Sequence, residues 1–483
     1  MKIYHNSIFK ILLVLLSLAV ALPSCNDYLD INADPNNPTD INGDYDLALG
    51  DITLTTSYNL VGGGNFTRYS ALWIKHITFA SEPPSEDTYR VNTSDFNNIW
   101  AFDSYAGVLI NCKFVIDNGT ADEAWNHVAI AKILMAHDYA LLSDYFGDIP
   151  RSEALQRTAN LQPKYDTQED VYEYVQSLLD EAIVDIDKNS PVAVGDGDHF
   201  LGGDMDKWKK VAYALKARYY LRLTKAPGKD AATQAQNALN AIQNAMTSAD
   251  DEAALLYTGQ AAAEGPWNQW VSKFSTTVKT SNYFLNLLQS MNDPRLSAFV
   301  DKAVNTGTYV GHENGTNDLP NALDDVSSVG EYYLAARIHS PLMTYVEQKF
   351  IEAEALLHLG KTGDAATAYA DAIKLHMAQL SGEGELGTVI SEGDMNAYIA
   401  ANPMNGLESI ITQKYIAGFL WSSSEAFHDY RRTGFPSSLT PAQNGDLNQL
   451  PTRIPYPDTE INSNSQNVPP GVTLTSKVWW DQD

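Results

Sequence analysis

Aromatic side chains set among small and amide residues are the clearest chemical signal in this chain. The run Glu264-Gly265-Pro266-Trp267-Asn268-Gln269-Trp270 places two indoles close together with amides between them, and Tyr283 follows. Thr88-Tyr89-Arg90 stands in a second polar stretch. Such rings offer apolar faces to the C–H faces of sugars, while amides and charged groups satisfy hydroxyls. Trp267, Trp270, Tyr283, Tyr89, Arg90 and Asn268 are therefore the candidate ligand-binding residues, with Trp267 foremost. Trp73 is set apart, because Tyr69, Leu72, Trp73, His76 and Ile77 share helical spacing and read as core. Trp479-Trp480 reads as a pin for the tail.

Catalytic templates are missing. There is no HExxH, GxSxG, Walker or CxxC pattern. A glycosidase needs only two carboxylates, but 60 acidic residues supply pairs everywhere, so pairing carries no signal. Gly62-Gly63-Gly64 lacks the lysine of a phosphate loop and reads as a flexible turn. Asp196, Asp198 and Asp204 are the only candidates for a structural Ca²⁺, and the EF-hand spacing is absent around them. The ten histidines show no paired ligand spacing, and His428 beside Asp429 reads as a structural contact. The expectation is a binding protein, not an enzyme, that works without a cofactor.

The elements that hold these residues are helical. Leu342, Tyr345, Val346, Phe350, Ala353, Leu356 and Leu357 form one stripe within 340–380. Gly360-Lys361-Thr362-Gly363 breaks it, and Asp364 is placed to cap a second helix carrying Ala365, Ala368, Tyr369, Ala372 and Ile373 inward. Small alanines at the contact and a short connection predict a hairpin like a tetratricopeptide repeat, which needs neighbours to cover it. Amphipathic stripes predict further pairs over 121–188 and 205–247, with Thr167 to Asp170 as capping chemistry. The fold class expected is mostly α: tetratricopeptide-like hairpins as scaffold, with long irregular loops at 62–66, 81–98, 190–204, 255–282, 305–330 and 433–483 carrying the ligand face.

A formal charge of -28 on 483 residues repels phosphate backbones and anionic headgroups, which excludes direct nucleic-acid binding. Two cysteines cannot build a disulfide scaffold or a zinc site. Cys112, in an apolar helical stretch, reads as a buried thiol. Cys25 differs. Lys2 and Lys10 precede an apolar run from Ile11 to Leu22, too short to span a bilayer. Leu22-Pro23-Ser24-Cys25 at its end resembles the bacterial lipobox. That resemblance implies a signal peptide over 1–24 and a diacylglycerol plus N-acyl (palmitate-type) modification on Cys25. Residues 25–43, with Asp34-Pro35-Asn36-Asn37-Pro38, then form a lipid-anchored tether, and 44–483 a single helical domain.

Acidic residues directly behind such a cysteine resemble the surface-export signal of Bacteroidota lipoproteins. Cys25 with Asp27-Tyr28-Leu29-Asp30 is similar to the start of SusD/RagB outer-membrane lipoproteins. The resemblance continues through Trp100, Tyr105, Gly107, Asn111 and Lys113, and through Tyr145-Phe146-Gly147-Asp148-Ile149-Pro150. Lys207-Trp208-Lys209 with Arg218 and Arg222, Asp293-Pro294-Arg295-Leu296, and Pro341 to Glu354 extend it. Arg431-Arg432-Thr433-Gly434 and Arg453-Ile454-Pro455-Tyr456-Pro457 close it. It implies a surface-exposed lipoprotein, anchored in the outer membrane and facing outward. Such a protein captures an oligosaccharide, or alternatively an oligopeptide, for a SusC-like TonB-dependent transporter. A glycan hydrolase and a lipid-anchored scaffold without small ligand are the readings from other classes.

Overall fold

Helix formation follows the apolar stripes, and caps set the boundaries. The structure, a computed structural model, describes residues 44–81, 85–274, 276–382 and 389–482. The leader, Cys25 and the tether lie outside the described residues. Helix α1 (Tyr45–Thr55) runs into a wide-turn helical stretch (Thr56–Gly62) with i→i+5 bonding. Then come α2 (Asn65–Trp73), β1 (Ile77–Phe79) and a second wide-turn stretch (Asn98–Leu109) that continues as α3 (Ile110–Ala121).

The hairpins follow: α4 (Trp125–Phe146) with α5 (Gln168–Ile186), and α6 (Met205–Arg222) with α7 (Ala231–Ile242). Thr167 accepts from Asp170 N at the start of α5, as the capping chemistry predicts, and Asp204 accepts from Lys207 N at the start of α6. Helix α4 was expected to be amphipathic, yet it is buried on all sides from Val128 to Phe146. Its neighbours α1, α3, α5 and α6 enclose it.

Residues 243–344 are inserted between the second and third hairpins. They carry β2 (Ala253–Thr258), α8 (Pro266–Phe274), β3 (Val278–Thr280), α9 (Asn282–Ser290) and β4 (Arg337–Met343). The reading of 255–282 as irregular loop is thus corrected. β3 pairs antiparallel with β1, Ile77 opposite Thr280, and β2 pairs antiparallel with β4, Leu255 opposite Ser340.

The third hairpin is α10 (Tyr345–His358) and α11 (Thr362–Gly382), and α10 packs back onto α7. Thr344 caps α10 by accepting from Glu347 N at 3.0 Å, so Leu342 belongs to β4 and not to the helix. Helix α11 begins at Thr362, which leaves Asp364 in its first turn and not at the cap. Gly360, at φ 71°, makes the turn. Then come α12 (Glu392–Ala401), α13 (Leu407–Ala417) and α14 (Ser423–Thr433), and a short α15 (Asp458–Ser463) follows them. From Tyr45 onward the chain is one compact unit and mostly helical.

Where α4, α6, α10, α13 and α14 meet, the core is ionic. Arg218 on α6 makes a two-point pair with Glu347 on α10, at 2.8 and 2.7 Å. Arg222 bonds Glu425 on α14 and lies 3.6 Å from Asp144 on α4. Lys414 on α13 meets Asp429 at 2.8 Å, and Arg432 reaches both Asp429 and Glu354 at 2.9 Å. All are buried. Burial, the largest single influence, pushes the Asp429 carboxyl up, but Lys414, Arg432 and Arg222 together outweigh it and hold the group well below the usual carboxylate range. His428 sits among these cations and is pushed far down, first by burial, so it stays neutral. Cys112 is fully buried, and its thiol is pushed up by burial.

A buried charge is tolerable only while paired. Replacing Arg432 by Leu is therefore expected to cost about 3–5 kcal/mol of unfolding free energy, because Glu354 and Asp429 lose their partner. Urea unfolding followed by circular dichroism measures this, and a loss below about 1 kcal/mol would contradict it.

Candidate functional site

Trp270 is the predicted indole that stays partly exposed. It lies on α8, half-buried, with the Arg68 guanidinium stacked 4.8 Å from its ring centroid. Phe79 of β1 and Trp267 press on it edge-on, at 6.1 and 5.6 Å. Arg68 comes from α2, and its Nε finds no acceptor. Around the pair stands a polar rim. Tyr58 donates to Gln269 Oε1 at 3.2 Å, and Asn59 Nδ2 donates to Asp103 Oδ1 at 3.0 Å. Asn268 donates to the Leu334 carbonyl at 2.7 Å, which turns its amide inward.

Local structure explains how these groups meet. Tyr58 and Asn59 lie on the first wide-turn stretch and Asp103 on the second, so the Asn59–Asp103 bond ties the two together. The Gly62-Gly63-Gly64 run is buried, not a flexible turn. A Cβ at Gly63 would stand 3.0 Å from Pro266 Cβ and 3.3 Å from Trp267 N. One at Gly64 would fall 1.7 Å from the Asn59 carbonyl oxygen. Glycine here lets α8 close on the wide-turn helix, which sets Gln269 beside Tyr58.

Burial shapes the electrostatics. It pushes the Asp103 carboxyl up to about 6 despite the opposing charge of Arg68, and pushes Arg68 down to about 10. Burial also raises Glu86, with Asp87 and Asp95 adding to the effect. Burial raises the neighbouring Tyr69 hydroxyl, with Glu86 and Asp95 adding to the effect.

The other predicted residues divide. Trp267 is 2 % exposed and packs in the core, with no acceptor for its N–H, so it supports Trp270 and offers no face. Tyr89 is 3 % exposed. Its hydroxyl accepts from Ala442 N at 2.8 Å and its ring presses on Gly445. Arg90 is exposed but held by Asp446 at 2.9 Å, so Tyr89-Arg90 fastens its loop to 442–446. Tyr283 bonds Ser438 at 2.8 Å and packs on Tyr415, which leaves it outside the Trp270 cluster. Trp73 and Trp480 are fully buried, as read from the sequence.

The calcium candidates do not converge. Asp198 accepts from Phe200 N, Leu201 N, Gly203 N and Trp208 Nε1, which spends its oxygens on donors. Asp204 is a helix cap, and Asp196 is exposed. No group of three His, Cys, Asp or Glu side chains suited to a metal occurs among the described residues. A concavity of about 430 Å³ lies elsewhere, with Trp100, Tyr105, Ile110, Pro150 and Leu155 in its wall. Its lining is mainly apolar, with Arg157, Thr459, Glu460 and Ser463 as polar members, and Tyr165 donates to Glu460 at 3.1 Å.

A family profile described as "starch-binding associating with outer membrane" matches residues 53–457. The chain belongs to the SusD-like family. Among solved structures, a SusD/RagB family protein from Bacteroides thetaiotaomicron superposes with a TM-score of 0.77 at 24% identity, covering 90% of this chain and 98% of its own. A chitin-binding protein gives 0.78 at 25%, covering 91% and 100%. A chitin-binding SusD homolog from Flavobacterium johnsoniae gives 0.73 at 21%, covering 90% and 99%, a likeness of fold alone. No curated protein sequence matches the chain. The SusD-like scaffold therefore carries the Trp270–Arg68 cluster on its inserted layer and N-terminal wide-turn helices.

The cluster has a pH signature. Asp103 binds its proton more tightly folded, at about 6, than unfolded, at 3.8. Its contribution to stability is thus complete below the unfolded value and is lost as pH rises through about 6. Against Asp103→Asn, the native protein is expected to lose up to about 3 kcal/mol between pH 4 and pH 7.5. Urea unfolding of both proteins at the two pH values checks the sign, and a gap that does not change would refute the shift.

Proposed function

We propose that this SusD-like protein captures an oligosaccharide at the Trp270–Arg68 surface and delivers it, chemically unchanged, to a SusC-like TonB-dependent transporter. The observation that carries the reading is the half-open Trp270 indole, braced by Arg68 and rimmed by Tyr58, Asn59, Asp103 and Gln269. An indole face suits the C–H face of a pyranose, and the rim supplies the donors and acceptors that hydroxyls need. Membership of a family described as starch-binding supports the ligand class, and the chitin-binding relative of the same fold supports it further. The family's description as outer-membrane-associated supports the location.

Trp270→Ala is expected to weaken binding of the cognate oligosaccharide about tenfold while the unfolding midpoint changes little. Trp267→Ala should instead lower stability by about 3 kcal/mol or more, as loss of a core aromatic does. Calorimetric titration beside thermal unfolding separates the two, and unchanged affinity in the Trp270 variant would dismiss the site.

Anchoring belongs to the same proposal. Lys2, Lys10 and the apolar run to Leu22 deliver Cys25 to lipoprotein processing, which attaches diacylglycerol and an N-acyl chain. One acyl chain holds a protein only marginally, whereas several at one residue anchor it stably. The polar residues from Asn26 onward act as a leash for the acidic globule at the cell surface. Cys25→Ala is expected to release a folded protein that binds ligand with unchanged affinity but no longer fractionates with membranes. Mass spectrometry of the native N-terminus is the direct check, and an unmodified Cys25 would refute the anchor.

A further inference from the structure

We infer that the concavity bounded by the second wide-turn stretch, residues 150–163 and α15 is a second ligand site, which takes a small alkyl or aryl group joined to a carboxylate. The inference goes beyond the glycan reading, and the hollow shares no residue with the Trp270–Arg68 surface.

Helix type builds the hollow. Stretch 98–109 is bonded i→i+5, and Ile110 N still donates to the Tyr105 carbonyl, so side chains five positions apart stand on one face. Trp100, Tyr105 and Ile110 fall at that spacing, as do Ala101 and Ala106, and all five line the concavity. In an α-helix, whose face repeats at three and four positions, they would diverge. The two alanines leave the space that the larger side chains wall in. Trp100 is held by rings on its own side of the wall: Tyr105 at 5.1 Å, and Phe146 and Tyr456 edge-on at 4.9 and 6.0 Å. Leu155 and Arg157 join the wall at φ 61° and 50°, a region that non-glycine residues occupy only where their surroundings hold them. The volume of about 430 Å³ is that of a small-molecule site.

The polar groups say what enters. Tyr105 donates to the Pro150 carbonyl at 2.6 Å, Thr459 to Asn97 Oδ1 at 2.9 Å and Ser463 to the Thr459 carbonyl at 2.8 Å. Glu460, the one carboxylate among the described residues of the wall, accepts from both Tyr165 and Asn464. A sugar would lose water from its hydroxyls against carbon walls with few partners to offer, so an apolar group is the better occupant. Arg157 stands apart. It is exposed and makes no hydrogen bond or ion pair among the described residues. Its guanidinium is the uncommitted charge of the wall, and a carboxylate matches its paired donors. The field of distant acids is screened beyond about 8 Å at physiological salt, so the nearby cation governs.

The test titrates octanoate and hydrocinnamate, each beside its own primary amide, into the Cys25→Ala protein purified without detergent, with calorimetry as the readout. Both carboxylates are expected to bind, and about fivefold more tightly than their amides. Arg157→Gln should bring each carboxylate to the level of its amide. Ala106→Phe, at an exposed position, fills the hollow and should abolish binding of all four compounds with the unfolding midpoint little changed. Trp270→Ala should leave the carboxylates unaffected. Failure of both carboxylates to bind overturns the inference, as does an amide that matches its acid or a carboxylate that Arg157→Gln leaves tight. Binding that survives Ala106→Phe, or that is lost in Trp270→Ala, overturns it as well. Failure of oligosaccharides to bind concerns the Trp270–Arg68 surface alone, and so stays distinct from each of these results.

Discussion

A balanced set of buried charges is the constraint on which the rest of this structure depends. Arg218, Arg222, Lys414, Arg431 and Arg432 are enclosed together with Asp144, Glu347, Glu354, Glu425 and Asp429. They come from five helices, and most of the pairs join two of them, some far apart in sequence. Apolar stripes alone would let neighbouring helices slide by a turn at small cost. Paired ions do not allow that, because a shift of one turn strands a charge in a medium that cannot solvate it. Arg431 adds a backbone role, donating to the carbonyls of Asp144 and Thr452 at 2.8 and 2.7 Å. The C-terminal segment is thereby fastened to the central helix α4.

The ligand surface is built on that fixed frame through close backbone approach. β1 lies directly after α2 and pairs with β3, which directly follows α8. Arg68 and Trp270 are thus presented by two helices whose following strands form one ribbon. The Gly62–Gly64 run brings the third wall, the wide-turn helix with Tyr58 and Asn59, against the start of α8. Trp267 packs edge-on against Trp270, so the partly exposed indole rests on a buried one. The orientation of the Trp270 ring is thereby settled by the core, and the proposed binding surface is preorganised.

Much of the scaffold was legible in the sequence because helix burial repeats at a period close to 3.6 residues. The three hairpins and the burial of Trp73 and Trp208 follow from spacing, and the Thr167 cap from residue type. The matched blocks around Arg218, Arg222 and Arg431-Arg432 proved to be the ionic core. Within 264–270, the structure buries Trp267, which composition put foremost, and leaves Trp270 partly exposed. Composition marks an aromatic as suited to stacking and says nothing about which side faces in. Tyr58, Asn59 and Asp103 escaped notice because they ride on wide-turn helices, whose longer period breaks the 3.6-residue pattern. Arg68 left one signal, a lone cation in the apolar stretch Phe66-Thr67-Arg68-Tyr69 directly after three glycines.

Asp144 receives Tyr172 from α5, Arg222 from α6 and the indole N–H of Trp480, the last at 2.7 Å across a separation of 336 positions. Its cage is complete only when Trp480 has joined it. Until then the central helix carries an uncovered carboxylate, and the ionic core lacks everything that α14 brings. A contact of such span closes late, since the loop-closure entropy must be met before the contact rewards it. The hairpins can therefore form from local contacts while the ionic core waits for a partner 336 positions downstream, so the order of assembly runs from the periphery of the helical frame to its charged centre.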